Sequence, residues 1–180
     1  TDADGCRQLA AQISARFRRV DVLVNNAGQI VVGPVGENNP DDVAQMLNTN
    51  LLGPIRLTTT LLPLLRQSHV AHIVNMGSML GDIAMPMFAA YSASKFGLRG
   101  WSDGLRRELA NEGIRVTYAA PRATRTGAAS VFDHLVEPFA MRVDTPEAVA
   151  AQVWQAVQQG RRTSYPQGFE RVARVLQSFA

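Results

Sequence analysis

Tyr91 and Lys95 are the pair of side chains in this sequence whose types and spacing suit proton transfer. They lie four residues apart near the start of a predicted helix, a spacing that places both on one helix face. A free tyrosine has a pKa of about 10, and a neighbouring ammonium favours the phenolate, which brings that pKa closer to the operating pH. Ser78, at the end of the preceding predicted strand, could hold a substrate oxygen. The alternative interpretation is an ordinary pair of side chains on a helix surface.

Other motifs for catalysis or metal binding are incomplete. A phosphate-binding GxxxxGK loop would need lysine where Pro34 stands. A serine-hydrolase GxSxG motif would need glycines at the positions of Met76 and Leu80. His69 and His72 have no acidic or cysteine companion at ligand spacing, so we interpret them as structural and predict no metal site.

The composition predicts one folded domain without a membrane span. The chain has 180 residues, of which 46% are hydrophobic and 18% charged, enough to bury a core. The net charge of +3 comes from scattered arginines without a basic block, which argues against nucleic-acid binding. No apolar run approaches the roughly 18 residues that span a bilayer. The single cysteine, Cys6, excludes an internal disulfide framework, and we expect a reducing, cytoplasmic location.

Short apolar runs alternate with longer amphipathic stretches along the chain. The runs are rich in β-branched residues and predict strands buried on both faces, and the stretches between them predict crossover helices. This βαβ pattern is typical of a parallel sheet. The predicted strands are 20–24, 72–75 and 114–119, with a weaker one at 163–165. The first predicted helix is capped by Thr1 or Asp2. The other predicted helices are 41–67, 90–111 and 146–159, and a further helical pattern lies at 171–180.

The order of the motifs resembles the short-chain dehydrogenase/reductase family. The motifs are Asn25-Asn26-Ala27-Gly28 after the first strand, Asn50-Leu51-Leu52-Gly53 in the next helix, Ser78, the Tyr91/Lys95 pair, and Pro121 after the third strand. The resemblance covers nearly the whole chain and implies an α/β fold with a doubly wound, Rossmann-like parallel sheet. It also implies a homodimer or homotetramer.

The resemblance assigns a role to each residue of the motif set. It implies hydride transfer between NAD or NADP and a small-molecule carbonyl or alcohol substrate. Tyr91 would be the general acid/base, and Lys95 would lower its pKa and bind the nicotinamide ribose. Ser78 would orient the substrate carbonyl, and Asn50 would support a water relay to Lys95.

The resemblance further implies cofactor contacts from two segments. These are Asn25, Ala27 and Gly28 after the first strand, and Pro121, Thr124 and Thr126 after the third. Asn25 would fix the sheet, and Ala27 and Gly28 would let the backbone approach the dinucleotide. Thr124 would meet the carboxamide and Thr126 the phosphates. A strand-end role for Asn25 and a simple turn at Gly28 are the alternatives.

Two departures from the family pattern stand out. Arg122 occupies a position where the family usually has glycine, and it could contact phosphate together with Arg125 or face solvent. The 180 residues also contain no glycine-rich TGxxxGxG-type loop for the pyrophosphate. We therefore expect residues 1–180 to be a single partial domain, the C-terminal part of the sheet with flanking helices, without the N-terminal βαβαβ portion. The strand at 20–24 would then have an open apolar edge.

Apolar residues near Tyr91 suggest a hydrophobic substrate. Between the second strand and Tyr91 lie Met76, Met79, Ile83, Met85, Met87 and Phe88, which could line a pocket or simply pack in the core. The position of the family's substrate lid is occupied by Val131, Phe132, Leu135 and Phe139.

A non-catalytic family member that acts as a partner-binding or oligomerising module is the main alternative function, and a serine hydrolase is a distant one.

Overall fold

A four-stranded parallel sheet forms the centre of the molecule in the computed structural model, which describes residues 2–166. The strands lie in the order β1-β2-β3-β4 and are β1 (Val22–Asn25), β2 (His72–Met76), β3 (Arg115–Ala119) and β4 (Thr163–Ser164). Val22 is in register with His72, and His72 with Arg115. The sheet and its flanking helices confirm the predicted fold class. The helical pattern predicted at 171–180 lies outside the described residues.

Six α-helices connect and cover the strands within this part of the chain. They are α1 (Ala3–Phe17), α2 (Pro40–Leu47), α3 (Gly53–Leu65), α4 (Ala89–Glu108), α5 (Asp133–Val136) and α6 (Pro146–Gln158). Short 3-10 turns lie at Met79–Gly81, Ala110–Glu112 and Gly127–Val131. Side-chain oxygens of Asp2, Asn39 and Thr145 accept backbone hydrogen bonds at the starts of α1, α2 and α6. Of the two caps considered for α1, the structure therefore selects Asp2.

The first strand is displaced from its predicted position. It was predicted at 20–24 and is observed at Val22–Asn25. The reason is that the Val20 N–H donates to the Leu64 carbonyl at 3.1 Å, so that the chain is still attached to the end of α3 at this point. Pairing with β2 begins only at Val22.

The helix predicted at 41–67 is interrupted by a π-helical turn, Asn48–Leu52. Pro54 follows that turn and has no N–H to donate to the carbonyl four residues earlier. The Gly53 N–H donates instead to the Asn48 carbonyl, five residues back. A wider turn of this kind is frequent at functional sites, and the buried Asn50 lies at its centre.

Two groups of buried apolar side chains stabilise the sheet. The larger comprises Leu23, Leu61, Leu65, Ala71, Ile73, Leu105, Leu109, Ile114 and Val116. The smaller comprises Met79, Leu98, Tyr118 and Ala120, and it lies beneath the turn that carries Ser78. This second group therefore connects the core directly to the candidate site.

The β1 strand is an edge of the sheet in the described part of the chain. Its side chains alternate between buried and exposed, and Val22 and Val24 are 38% and 48% exposed. The exposed edge was predicted from the apolar run at 20–24. Among the described helices, none has the length and apolar character needed to cross a membrane.

Candidate active site

A cavity of about 1140 Å³ opens at the carboxyl ends of β1, β2 and β3. In open parallel sheets ligands bind at this end of the strands. Most of the predicted site residues line the cavity, namely Ala27, Gly28, Ser78, Tyr91, Lys95, Pro121, Thr124 and Thr126. Asn25 and Asn50 are buried behind the wall of the cavity.

Tyr91 and Ser78 meet in this cavity from different elements. Tyr91 belongs to the first turn of α4, and Ser78 follows β2 as the cap of the 3-10 turn Met79–Gly81. The Ser78 Oγ accepts a hydrogen bond from the Leu80 N–H at 3.1 Å, so its own proton remains available for another oxygen. Burial raises the pKa of the Tyr91 phenol, and a side-chain hydrogen bond with Ser78 partly offsets this effect.

Lys95 reaches from α4 to the backbone at the end of β2. Its Nζ donates to the Met76 carbonyl at 2.9 Å and lies 5.7 Å from the centroid of the Tyr91 ring. Burial lowers the pKa of Lys95 to about 8. Burial is the largest cause of the raised pKa of Tyr91, and the expected lowering of this pKa by Lys95 stays a prediction.

Asn50 is held by the backbone of one residue on the opposite loop. Its Nδ2 donates to the Gln29 carbonyl at 2.8 Å, and its Oδ1 accepts from the Gln29 N–H at 2.8 Å. The same Nδ2 also donates to the Ser94 hydroxyl at 3.0 Å. The π turn thus fixes the segment after β1 against α4, on the side of the cavity where Lys95 lies.

Gly28 leaves a small polar space beside Lys95. A Cβ at this position would lie 3.4 Å from Asn50 Oδ1 and 3.7 Å from Lys95 Nζ. A ribose has hydroxyl groups that match an ammonium donor and an amide oxygen. The residues present therefore fit the nicotinamide-ribose part of a dinucleotide, and a glycine-rich loop for the pyrophosphate does not occur in the sequence.

Asn25 joins the strands below the cavity. Its Nδ2 donates to Asn75 Oδ1 at 2.8 Å and to the Thr58 hydroxyl at 3.1 Å. Asn75 Nδ2 in turn donates to the Ser102 hydroxyl on α4 at 2.8 Å. This buried chain of hydrogen bonds holds β1 against β2 and both against the helix that carries Tyr91.

Arg122 lies in the wall of the cavity and is mostly buried. Its Nε is 3.1 Å from the Asp144 carboxylate. The same Asp144 accepts the Arg125 N–H through its backbone carbonyl at 2.9 Å. Arg122 is therefore not the solvent-exposed side chain considered from the sequence, and it forms part of a link between the two ends of the segment 126–143. The contact of Arg122 with phosphate stays a prediction. The Thr124 hydroxyl donates to the Arg122 carbonyl at 3.0 Å.

Tyr118 contacts the candidate site and was not among the residues predicted from the sequence. It is fully buried on β3, and its hydroxyl bonds the backbone of Ser78. The glycines at 77 and 81 on either side of Ser78 were the available signal, since both contact this phenol.

Comparisons with known proteins identify a family. A family model described as short chain dehydrogenase matches residues 1–134. The chain is 33% identical to the ketoacyl reductase HetN of Nostoc sp., over 77% of this chain and 48% of that protein. It is 40% identical to retinol dehydrogenase 5 of Homo sapiens, over 70% of this chain and 40% of that protein. The chain thus spans about half the length, or less, of these curated relatives.

A solved structure shows the same architecture. The structure of a short-chain dehydrogenase from Streptomyces avermitilis superposes with a TM-score of 0.84 at 30% sequence identity. The superposition covers 99% of this chain and 73% of that one.

Proposed function

The chain belongs to the short-chain dehydrogenase family, and on this basis we propose that it carries the reaction centre of an NAD(P)-dependent oxidoreductase acting on a carbonyl or alcohol group. The observation that carries the proposal is the convergence of Tyr91, Ser78 and Lys95 on one cavity at the carboxyl ends of the strands. The residues come from β2 and α4, and the chain of buried amides below the cavity holds these elements together.

Tyr91 is the proton donor in the direction of carbonyl reduction. Because burial raises its pKa, the phenol is neutral and holds its proton at neutral pH. The Ser78 hydroxyl donates a hydrogen bond to the same substrate oxygen, since its acceptor side is occupied by the Leu80 N–H. A nicotinamide held beside Lys95 and Gly28 would supply the hydride. In the reverse direction the phenolate form of Tyr91 accepts the proton of the alcohol.

Lys95 and Asn50 act on the cofactor side of the cavity. The Lys95 ammonium has three donors, and one of them is used by the Met76 carbonyl. The remaining donors face the space beside Gly28, where they would bind the ribose hydroxyls. Asn50 keeps the backbone of that segment in place through Gln29. Thr124 lines the cavity on the opposite side, where it would bind the carboxamide.

The substrate is apolar, as the lining of the cavity indicates. The apolar side chains that line it include Met79, Met85, Phe88, Phe132, Phe139, Met141, Val149, Val153 and Trp154. Pockets lined in this way bind ligands with substantial hydrophobic surface. Two relatives are named for such substrates, a ketoacyl reductase and a retinol dehydrogenase. Of the methionines expected in the pocket, Met87 is not among the lining residues.

The protein forms a homodimer or homotetramer through the helices that carry Asn50 and Lys95. Leu52 and Phe96 support this part of the proposal, because both are large apolar side chains exposed on those elements.

A non-catalytic binding module remains the alternative function, and the exposed edge of β1 favours it. A measurement of turnover distinguishes the oxidoreductase from the non-catalytic module.

Replacing Tyr91 tests the proposed reaction. Tyr91→Phe in the full-length protein removes the proton-exchanging hydroxyl and keeps the ring, so we expect NAD(P)H-dependent reduction of apolar carbonyls to fall about 10²–10⁴-fold. The matched control is Tyr165→Phe, which removes a phenol outside the cavity lining and should retain activity. Turnover by Tyr91→Phe at the parent rate would refute the assignment.

A further inference from the structure

Three successive residues of the Ser78 turn are bound to β3 and to the residues directly after it. The Gly77 N–H donates to the Ala119 carbonyl at 2.6 Å, and the Met79 N–H donates to the Pro121 carbonyl at 3.0 Å. Between them, the backbone of Ser78 is bound by a side chain. The Tyr118 hydroxyl accepts from the Ser78 N–H at 3.4 Å and donates to the Ser78 carbonyl at 3.2 Å.

The Tyr118 ring also determines which residues can stand on either side of Ser78. A Cβ at Gly77 would lie 2.1 Å from the Tyr118 Cζ, and a Cβ at Gly81 would lie 2.2 Å from its hydroxyl oxygen. Neither glycine has a backbone conformation restricted to glycine. The phenol therefore explains Gly77 by the space it occupies, and it explains Gly81 together with the Lys95 carbonyl oxygen, which would lie 2.9 Å from a Cβ there.

The hydroxyl of Tyr118 keeps its proton under ordinary conditions. Burial raises the pKa of this phenol above the usual range of tyrosine. A neutral phenol can donate to one backbone group of Ser78 and accept from the other at the same time. The paired contact is thus independent of pH in the range where the enzyme would work.

We infer that Tyr118 is a positioning residue, which acts through the backbone of Ser78 to hold the Ser78 hydroxyl against Tyr91 and the substrate oxygen. This inference rests on the proposed function. Hydrogen bonding with Ser78 also lowers the pKa of Tyr91. A displaced Ser78 would therefore change both the rate and its dependence on pH.

Tyr118→Phe tests the inference, because it keeps the ring between the two glycines and removes only the hydroxyl. In the full-length protein we expect kcat to fall about 10- to 100-fold, as a misplaced catalytic group does, with KM for NAD(P)H unchanged. The basic limb of the pH–rate profile should move upward, since Tyr91 loses part of its bond with Ser78. The matched control is Thr117→Val, which removes a buried hydroxyl from the adjacent β3 residue and should lower stability without moving the profile.

A double-mutant cycle separates positioning from a general structural role. In a Ser78→Ala background the hydroxyl to be positioned is gone, so Tyr118→Phe should lower kcat by less than about twofold. Equal effects in both backgrounds, or parent kcat and pH profile in Tyr118→Phe, would overturn the inference. The proposed function would stand in either case if Tyr91→Phe is inactive, whereas an active Tyr91→Phe refutes the function itself.

Gly77→Ala provides a second test if Tyr118→Phe fails to fold. Its methyl group would collide with the Tyr118 ring and displace either the ring or the turn. We expect kcat to fall at least as far as expected for Tyr118→Phe. Gly100→Ala is the control, because a Cβ at that glycine meets nothing within 4 Å. Parent kcat in Gly77→Ala would exclude the positioning role.

Discussion

Lys95 is an uncommon residue because its amine is buried and burial is what shifts its pKa. Only 5% of the residue is exposed, and its Nζ is bound by the Met76 carbonyl. Burial disfavours the charged form and lowers the pKa to about 8. Such a residue lowers the stability of the fold and is typical of a functional site.

Lys95→Met should therefore change two measurable properties, the pH dependence of the free energy of unfolding and the affinity for NAD(P)H. The unfolded chain binds the lysine proton more tightly than the folded one, so the parent gains stability as pH rises from about 8 to its ordinary pKa of 10.5. The gain is at most about 3 kcal/mol, at about 1.4 kcal/mol per pKa unit. In Lys95→Met this gain should disappear, and NAD(P)H should bind more weakly.

Urea unfolding between pH 7 and 10 and calorimetric titration with NADH and NADPH measure the two effects. Lys95→Arg is the control for charge, because it keeps a cation but remains protonated throughout this range. An unchanged stability gain in Lys95→Met, together with unchanged cofactor affinity, would show that Lys95 has neither effect.

The sequence could predict many of the side chains that reach the cavity. It could not predict the hydrogen-bond partners of those side chains. Helical spacing places Tyr91 and Lys95 on one face, but it does not determine the rotamer that takes the ammonium to the Met76 carbonyl. The contact between Tyr118 and Ser78 joins positions 40 residues apart, and no local pattern encodes it. Arg122 was noted as a departure, yet its partner Asp144 depends on how the intervening segment folds.

At the scale of elements, β2 is a strand in which burial restricts the choice of residues, because four of its five residues are buried. The β-branched pattern predicted this strand correctly. It could not predict the state of His72, whose Nε2 lies 2.7 Å from the Thr117 hydroxyl. The Thr117 proton goes to the Arg161 carbonyl, so the Nε2 of His72 carries a proton and donates, and the ring is neutral.

His72 should make the β2–β3 pairing sensitive to acid. Burial, and then the charge of Arg115, lower its pKa from 6.5 to about 4. The stability associated with the neutral ring is complete above pH 6.5 and is lost as pH falls towards 4, because the unfolded chain takes up the proton first. The loss is at most about 3 kcal/mol. Urea unfolding at pH 7.5 and 4.5 measures it.

His72→Gln is the control for this effect, since an amide can donate to Thr117 without titrating. The variant should lose clearly less stability than the parent over the same pH interval. Equal losses in the two proteins would assign the acid sensitivity to the carboxylates instead.

The π turn shows why the boundaries of elements were harder to predict than their order. The hydrophobic pattern of 41–67 is helical throughout, and the structure is helical without a gap as far as Leu65. The pattern contains no information about the hydrogen bonds between Asn50 and the Gln29 backbone. These bonds and Pro54 both occur at the wider turn. Periodicity reports which face is buried, and this interruption leaves the buried face in place.

At the scale of the whole molecule, the proposed function gives the residues of this chain one side of a dinucleotide site. Gly28 and Lys95 fit the ribose, whereas the sequence contains no glycine-rich loop for the pyrophosphate. We therefore expect the 180 residues, expressed by themselves, to bind NADH and NADPH with dissociation constants above about 1 mM. Calorimetric titration measures this, and micromolar affinity would mean that other residues of the chain form a phosphate site.

The same 180 residues should associate through the β1 strand. The unpaired N–H and C=O groups along an edge strand can pair with another chain, and the partly exposed Val22 and Val24 provide apolar surface for that contact. A charge on such an edge opposes pairing, so Val22→Lys should shift the chain towards the monomer in light scattering. Val35→Lys is the matched control, because Val35 is 80% exposed and lies outside the sheet. If both variants associate like the parent chain, the contact lies on another surface, such as the helices that present Leu52 and Phe96.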